Sequence, residues 1–170
     1  AVLPPYPRSV EDAYSQQLFH GRHLQGLTSV VGCQTDIGKL ASIIAHCDSA
    51  PPPKSWVHQP LRSRWIADPL ALDCAFQLMI LWSLEANKQA SLPTSIGHYQ
   101  QFVASFPDQG VRIEVRVHSN GTGKAQADID WLNEQGEVLA RMTNYECVVD
   151  ASLHAAFQRN TLESNTAARR

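Results

Sequence analysis

Only Asp73, Gln77 and Ser83 interrupt an apolar run from Leu70 to Leu84, and that run organises the reading of the whole chain. Asp68-Pro69 stands directly before it. Aspartate is a good N-cap and proline suits the first helical position, so the pair predicts a helix from about residue 69 to Asn87. A helix that is apolar on every side must be covered on every side, which predicts a buried rod. Its polar residues Asp73 and Gln77 are four apart and therefore share a face.

A second pattern begins after Pro93. Val111–Val117 alternates strictly, with apolar odd positions and mostly charged even ones. Alternation returns over 125–131, and 137–149 supplies a third long strand. Turn residues at 119–123 and 133–136 separate the three stretches, which predicts a three-stranded antiparallel meander with one polar face. Upstream, residues 27–47 alternate loosely around turn signals at Gly32 and Asp36–Gly38, as a hairpin would. Residues 10–19 predict a short helical turn. Four prolines in 49–60 exclude a helix interior or a central strand there. Residues 1–9, with three prolines, read as an extended linker, and 151–170 as a polar, frayed tail. The domain boundaries drawn from this are a linker over 1–13, one folded unit over 14–150 and a flexible tail over 151–170. A sheet that must curl round a fully apolar helix is an α+β arrangement of the hot-dog type.

Composition narrows the functional classes. The chain has 170 residues, enough for one domain that hides roughly 70% of its unfolded surface. A formal net charge of -2 gives no bulk attraction to nucleic acid or to an anionic membrane. The run at 70–84 reads as too short and too polar for a bilayer span, and the proline-rich start has no signal-peptide pattern. The chain starts at Ala1 without a methionine, as a segment of a longer polypeptide would. Cys33, Cys47, Cys74 and Cys147 lack metal-ligand or C-x-x-C spacing and read as buried thiols, compatible with a cytoplasmic setting. No phosphate-binding or dinucleotide motif occurs, so no metal and no bound cofactor is expected.

Candidate chemistry lies on the apolar helix. An ionised carboxylate left unpaired in an apolar site costs several kcal/mol, so Asp73 must be partnered, protonated or open to a cavity. Burial favours the protonated form, as a proton donor requires. Gln77, one turn on, is placed to fix its rotamer. The bland alternative is a loop cap or an ion pair with Arg62 or Arg64. The first reading has Asp73 facing a substrate tunnel.

Three segments carry a family resemblance. Asp68-Pro69-Leu70-Ala71-Leu72-Asp73-Cys74-Ala75-Phe76-Gln77 resembles the hP-x-h-L-D-x-x-x-Q/H signature of polyketide synthase dehydratase domains. Leu18-Phe19-His20-Gly21-Arg22-His23-Leu24-Gln25-Gly26 is similar to their Y/F-H/Y-G-P-x-F-Q-G motif, which opens the second half of that domain. Leu92-Pro93-Thr94-Ser95-Ile96-Gly97 resembles their L-P-x-x-I stretch. The resemblance covers about 14–149. It departs at Arg22, where proline is usual, and at Leu24, where phenylalanine is usual.

The resemblance implies a tandem of two hot-dog halves that dehydrates 3-hydroxyacyl chains held as thioesters on the phosphopantetheine arm of an acyl carrier protein. A histidine in an H-x-x-x-G-x-x-x-x-P motif of the first half removes the α-proton. An aspartate on the helix of the second half helps the β-hydroxyl leave. On this match Asp73 is the acid, Gln77 its orienting partner and His20 a residue at the site's mouth. Gly21, Gln25 and Pro69 are the substrate-contacting candidates, with Gly21 and Gly26 serving a tight turn or a close approach. Helix-terminal N–H groups are the general candidates for polarising the thioester carbonyl. None of the seven histidines begins the H-x-x-x-G-x-x-x-x-P motif, and His46, His58, His98, His118 and His154 form no constellation with Asp73. The polyunsaturated-fatty-acid type and the enediyne type of dehydratase both fit, as do a catalytically silent scaffold and a product-template-like chain-folding unit, with a thioesterase weaker. The expected partners are acyl carrier protein, other synthase domains, and a second hot-dog unit joined as a homodimer or heterodimer.

Overall fold

In the computed structural model, which describes residues 3–158, the helix start expected at Asp68-Pro69 is in place. Asp68 accepts the Ala71 N–H at 2.8 Å and, with its other oxygen, the Ala50 N–H at 2.8 Å. The cap therefore starts the helix and pins the proline-rich loop to it. The long helix, α2, runs Pro69–Asn87, after a short α1 at Val10–Gln16.

Six strands surround it: β1 Leu27–Gln34, β2 Ser42–Cys47, β3 Ala90–Gln101, β4 Val111–Gly121, β5 Lys124–Leu132 and β6 Val138–Asp150. They form one antiparallel sheet in the order β1-β2-β4-β5-β6-β3. The alternation in β4 does what its pattern predicts. Ile113, Val115 and Val117 are buried opposite Trp131, Ile129 and Ala127 of β5. On the other face Asp130 accepts from Arg116 at 2.8 Å and Arg141 at 2.6 Å. Burial pushes that carboxyl up, but the two guanidinium groups hold it below its ordinary value.

Sheet and helix are tied by polar bonds as well as by packing. Trp131 Nε1 donates to the Ala71 carbonyl at 2.9 Å, Trp82 Nε1 to the Gln34 carbonyl at 3.0 Å, and Ser91 Oγ to the Met79 carbonyl at 3.1 Å. A buried indole N–H needs such a partner. This curled sheet around a central helix is a hot-dog fold.

The structure corrects several expectations. α2 is not covered all round. Along one stripe Pro69, Leu72, Asp73 and Phe76 are only half-buried. With 19 residues, α2 is long and apolar enough by length and composition to cross a membrane, contrary to the sequence reading, although 67% of that window is buried inside the fold. β3 adds a strand before the meander, with Pro93 at a register shift on the sheet's outer edge, where a missing N–H is tolerated. Gly32 lies inside β1 rather than in a turn. The N-terminal segment crosses there, and the Cys33 N–H donates to the Pro4 carbonyl at 2.9 Å.

The remaining corrections concern the ends. Residues 3–9 are not a free linker, because Tyr6 is buried and donates to Gln17 Oε1 at 3.0 Å. Residues 10–13 belong to α1. Residues 151–158 are helical, with Phe157 packed on Phe19 at 4.3 Å. The rest of the expected tail, 159–170, lies outside the described residues.

Close approach fixes the glycine at position 26 beside the site. A Cβ on Gly26 would meet Leu70 Cγ at 2.6 Å and Cys74 Sγ at 2.8 Å, so the loop after α1 presses directly on α2. Gly21, by contrast, has open space, with nothing within 4 Å, and a φ of -67°. Gly26→Ala is expected to destabilise the fold by about 1–3 kcal/mol through overpacking. Gly21→Ala should stay within about 0.5 kcal/mol. Urea unfolding of the two variants checks the contrast, and equal stabilities would contradict the packing described.

Candidate active site

Asp73 lies in the second turn of α2, on the stripe that the sheet leaves uncovered. Its side chain is 25% exposed. Asp73 Oδ2 accepts from Gln77 Nε2 at 2.7 Å and stands 3.5 Å from His20 Nε2. Arg62 and Arg64 are exposed and make no ion pair with it. Three residues that the sequence singled out, His20, Asp73 and Gln77, thus come together from two segments more than fifty residues apart.

Gln77 explains how the aspartate is held. Its side chain is fully buried, so each polar atom of its amide needs a partner. Nε2 donates both its hydrogens, to Asp73 Oδ2 and to the Leu24 carbonyl at 2.6 Å. Oε1 accepts from the Tyr14 hydroxyl at 2.8 Å. The Tyr14 oxygen in turn accepts the Leu27 N–H at 2.9 Å. α1, the loop that follows it, the start of β1 and α2 all meet at this amide.

The His20 ring is enclosed, its side chain 7% exposed and stacked on Phe19 at 4.3 Å. Nδ1 is buried with no hydrogen-bond partner among the described residues. Burial holds the imidazole below the ordinary histidine value, against the opposing pull of the Asp73 carboxylate. Near neutral pH the pair is therefore a neutral imidazole beside a carboxyl group. The same depression disfavours a proton on His20 in the folded state.

The substrate-contacting candidates are scattered round this core. Gly21 opens the 3-10 turn Arg22–Leu24 and its carbonyl accepts the Leu24 N–H at 2.9 Å. Gln25 is exposed, and its Nε2 closes the loop on the His20 carbonyl at 2.9 Å. Pro69 is half-buried one turn before Asp73. His23 packs edge-on against Trp56. His118 lies 3.7 Å from Asp128, and His154 contacts Gln158, both away from Asp73. The first turn of α2 is not free to bind a carbonyl, because Asp68 already takes the Ala71 N–H. The four cysteines are buried and free.

Two points differ from the sequence reading. Five cavities of ≈ 400 to ≈ 730 Å³ are lined by residues other than Asp73, Gln77 and His20, so the expected tunnel is not one of them. Asp73 opens instead onto the half-buried stripe of α2. Tyr14 is also part of the site, and the sequence reading passed over it. Its signal is the spacing of Val10, Ala13, Tyr14 and Gln17, one face of a short helix that turns inward.

Comparison with known proteins agrees with this architecture. Residues 3–154 match the family model described as polyketide synthase dehydratase N-terminal domain. Over 122 residues the chain is 27% identical to a polyunsaturated fatty acid synthase polypeptide of Thraustochytrium sp., covering 71% of this chain and 4% of that protein. The dehydratase domain from the CurF module of curacin polyketide synthase superposes with a TM-score of 0.62 at 16% identity, over 84% of this chain and 47% of that one. The dehydratase domain of RzxB from Pseudomonas fluorescens gives 0.59 at 18% identity, over 82% and 48%. The chain thus spans about half the length of these solved domains and a small fraction of the curated relative. At these identities the two structures establish the fold.

The enclosed imidazole has a measurable consequence. Unfolded histidine titrates near 6.5, and folded His20 binds its proton less readily. The unfolded state therefore holds more protons as pH falls below that value, and stability declines with it. Unfolding free energy measured from about pH 7.5 to about pH 5.5 should fall more steeply in the wild type than in His20→Phe. Parallel slopes would show that His20 is not held neutral by the fold.

Proposed function

The chain belongs to the polyketide synthase dehydratase family, and from that premise we propose that it is the acid-carrying hot-dog unit of a dehydratase acting on 3-hydroxyacyl thioesters of an acyl carrier protein. The observation that carries the reading is the carboxyl of Asp73, bonded at Oδ2 by a buried amide and faced by an enclosed, neutral imidazole. The family description speaks of an N-terminal domain. Assignment to the aspartate-bearing second half rests instead on the Asp68–Gln77 signature and on the lack of an H-x-x-x-G-x-x-x-x-P motif in this sequence.

The chemistry follows from what the reaction must move. A base takes the α-proton, and the C–H electron pair becomes the new double bond. The bond between the β-carbon and its hydroxyl breaks, and that hydroxyl leaves as water after accepting a proton. Asp73 in its acid form supplies this proton and is left as a carboxylate that the Gln77 N–H stabilises. His20 is ill placed as the base. Its Nε2 faces Asp73 and its Nδ1 is buried, so it serves as the partner of the acid. The base is then a histidine of a companion hot-dog unit, on the same polypeptide or another. The companion also supplies the second wall over Leu72, Asp73 and Phe76. The substrate arrives on phosphopantetheine, and the step itself requires no further cofactor.

A direct assay decides the matter. The chain, together with its companion unit, is mixed with a 3-hydroxyacyl carrier protein, and loss of water is followed by mass spectrometry. Asp73→Asn keeps the shape and the Gln77 bond but removes the transferable proton, and turnover should drop by about 10² or more. Wild-type turnover in that variant would remove Asp73 from the mechanism. Inactive but folded wild type would assign the chain to the catalytically silent scaffolds.

Pairing is separately testable. Among the described residues the outer edge of β3 pairs with no further strand and is exposed over 93–98, a surface that invites a second sheet. Sedimentation at high concentration should show a dimer, or a heterodimer once the companion is added. A clean monomer in both cases would rule pairing out.

A further inference from the structure

Every atom of the Gln77 amide has its role dictated by groups that can act in only one direction. The Leu27 N–H can only donate, so the Tyr14 oxygen accepts there at 2.9 Å and sends its single hydrogen to Gln77 Oε1 at 2.8 Å. The Leu24 carbonyl can only accept, so Gln77 Nε2 faces it at 2.6 Å. The remaining Nε2 hydrogen then has one destination, Asp73 Oδ2 at 2.7 Å. Burial keeps the Tyr14 hydroxyl protonated, well above the ordinary tyrosine value, so its direction does not reverse. We infer that Tyr14 is a positioning residue of this site: through Gln77 it commits Oδ2 of Asp73 to accepting, and so makes Oδ1 the oxygen that carries and releases the proton.

The step is balanced by what surrounds it. With Oδ2 holding the Gln77 N–H, and with neutral His20 in the tautomer that carries its hydrogen on Nε2, a hydrogen on Oδ2 would face two donors, so in that tautomer the acid form carries it on Oδ1. In the elimination the Oδ1–H bond breaks as the bond from the β-carbon to its hydroxyl breaks. The electron pair of that bond leaves with the departing water. The α-proton goes to the base and its pair forms the double bond. Tyr14 touches none of the reacting atoms. Its hydroxyl can, however, be removed by a single substitution that leaves the backbone, Gln77 and Asp73 unchanged. This inference rests on the dehydratase reading above for its chemistry, but not for its geometry.

Tyr14→Phe tests it in the whole 170-residue chain. In the wild type the two Gln77 side-chain amide hydrogens, each held in its own bond, should resonate apart and exchange slowly with water. The Phe variant should move both signals and speed their exchange at least about tenfold. Where the companion-supported assay runs, kcat should fall about 10- to 100-fold with KM within about twofold, since orientation rather than binding is lost. A merely structural tyrosine would lower the unfolding midpoint and leave the amide signals and kcat of the folded protein unchanged, and that result overturns the inference. Should the variant not fold, the wild type answers alone. A protected Tyr14 hydroxyl proton close to the Leu27 amide proton supports the network, and one exchanging at the solvent rate refutes it. Loss of turnover in Asp73→Asn with an unaffected Tyr14→Phe sinks the positioning role only. Full turnover in Asp73→Asn with a disturbed Gln77 amide sinks the dehydratase chemistry only.

Discussion

An apolar helix of nineteen residues has to be taken out of water, and the arrangement of the other elements follows from that need. Six strands curl round α2 and bury most of its surface. A curled sheet still has two edges, and the helix keeps one stripe that the sheet does not reach. Pro69, Leu72, Asp73 and Phe76 lie on that stripe. The carboxyl group is therefore neither fully wet nor fully buried, and its partners Gln77 and His20 lie on the protein side of that boundary.

Gln77 is the buried end of that boundary. A side-chain amide with no exposure would be costly unless all its bonds were made, and here Tyr14, Leu24 and Asp73 make them. Three otherwise separate pieces of chain converge on it: α1, the loop pressed down through Gly26, and α2. The close approach at Gly26 brings the Leu24 carbonyl within reach of α2, and the same loop carries His20 to Asp73. Packing and the placement of the Asp73 carboxyl here depend on the same contacts.

Much of this was legible in the sequence because the signals were local and strong. Asp68-Pro69 marks a helix start by cap chemistry, and strict alternation over 111–117 marks a strand with one wet face. Asp73 and Gln77 stand out as polar residues in an apolar run. Other features escaped because they are set by what is nearby rather than by what is adjacent. β3 is exposed over most of its length and carries a proline, so no alternation betrays it. Leu72 and Phe76 look like core residues, and only the sheet's reach decides that they are half-uncovered. Tyr14 sits in a short, largely polar helix, and its partner lies 63 positions further on.

The uncovered stripe and the open β3 edge belong to one geometrical fact. A sheet of six strands closes round one flank of α2, and extending it beyond β3 would bring a second sheet, and whatever helix it carries, alongside. That addition would bury Leu72 and Phe76 and raise the electrostatic weight of every group at Asp73 by excluding water. It would also turn an open surface into an enclosed slot, which none of the five cavities provides. An acid already fixed by Gln77 would need no rearrangement when the slot closes, because its bonds lie wholly within this chain. On the proposed reading the unit contributes a pre-oriented carboxyl group, and the enclosure around it would be a property of the pair.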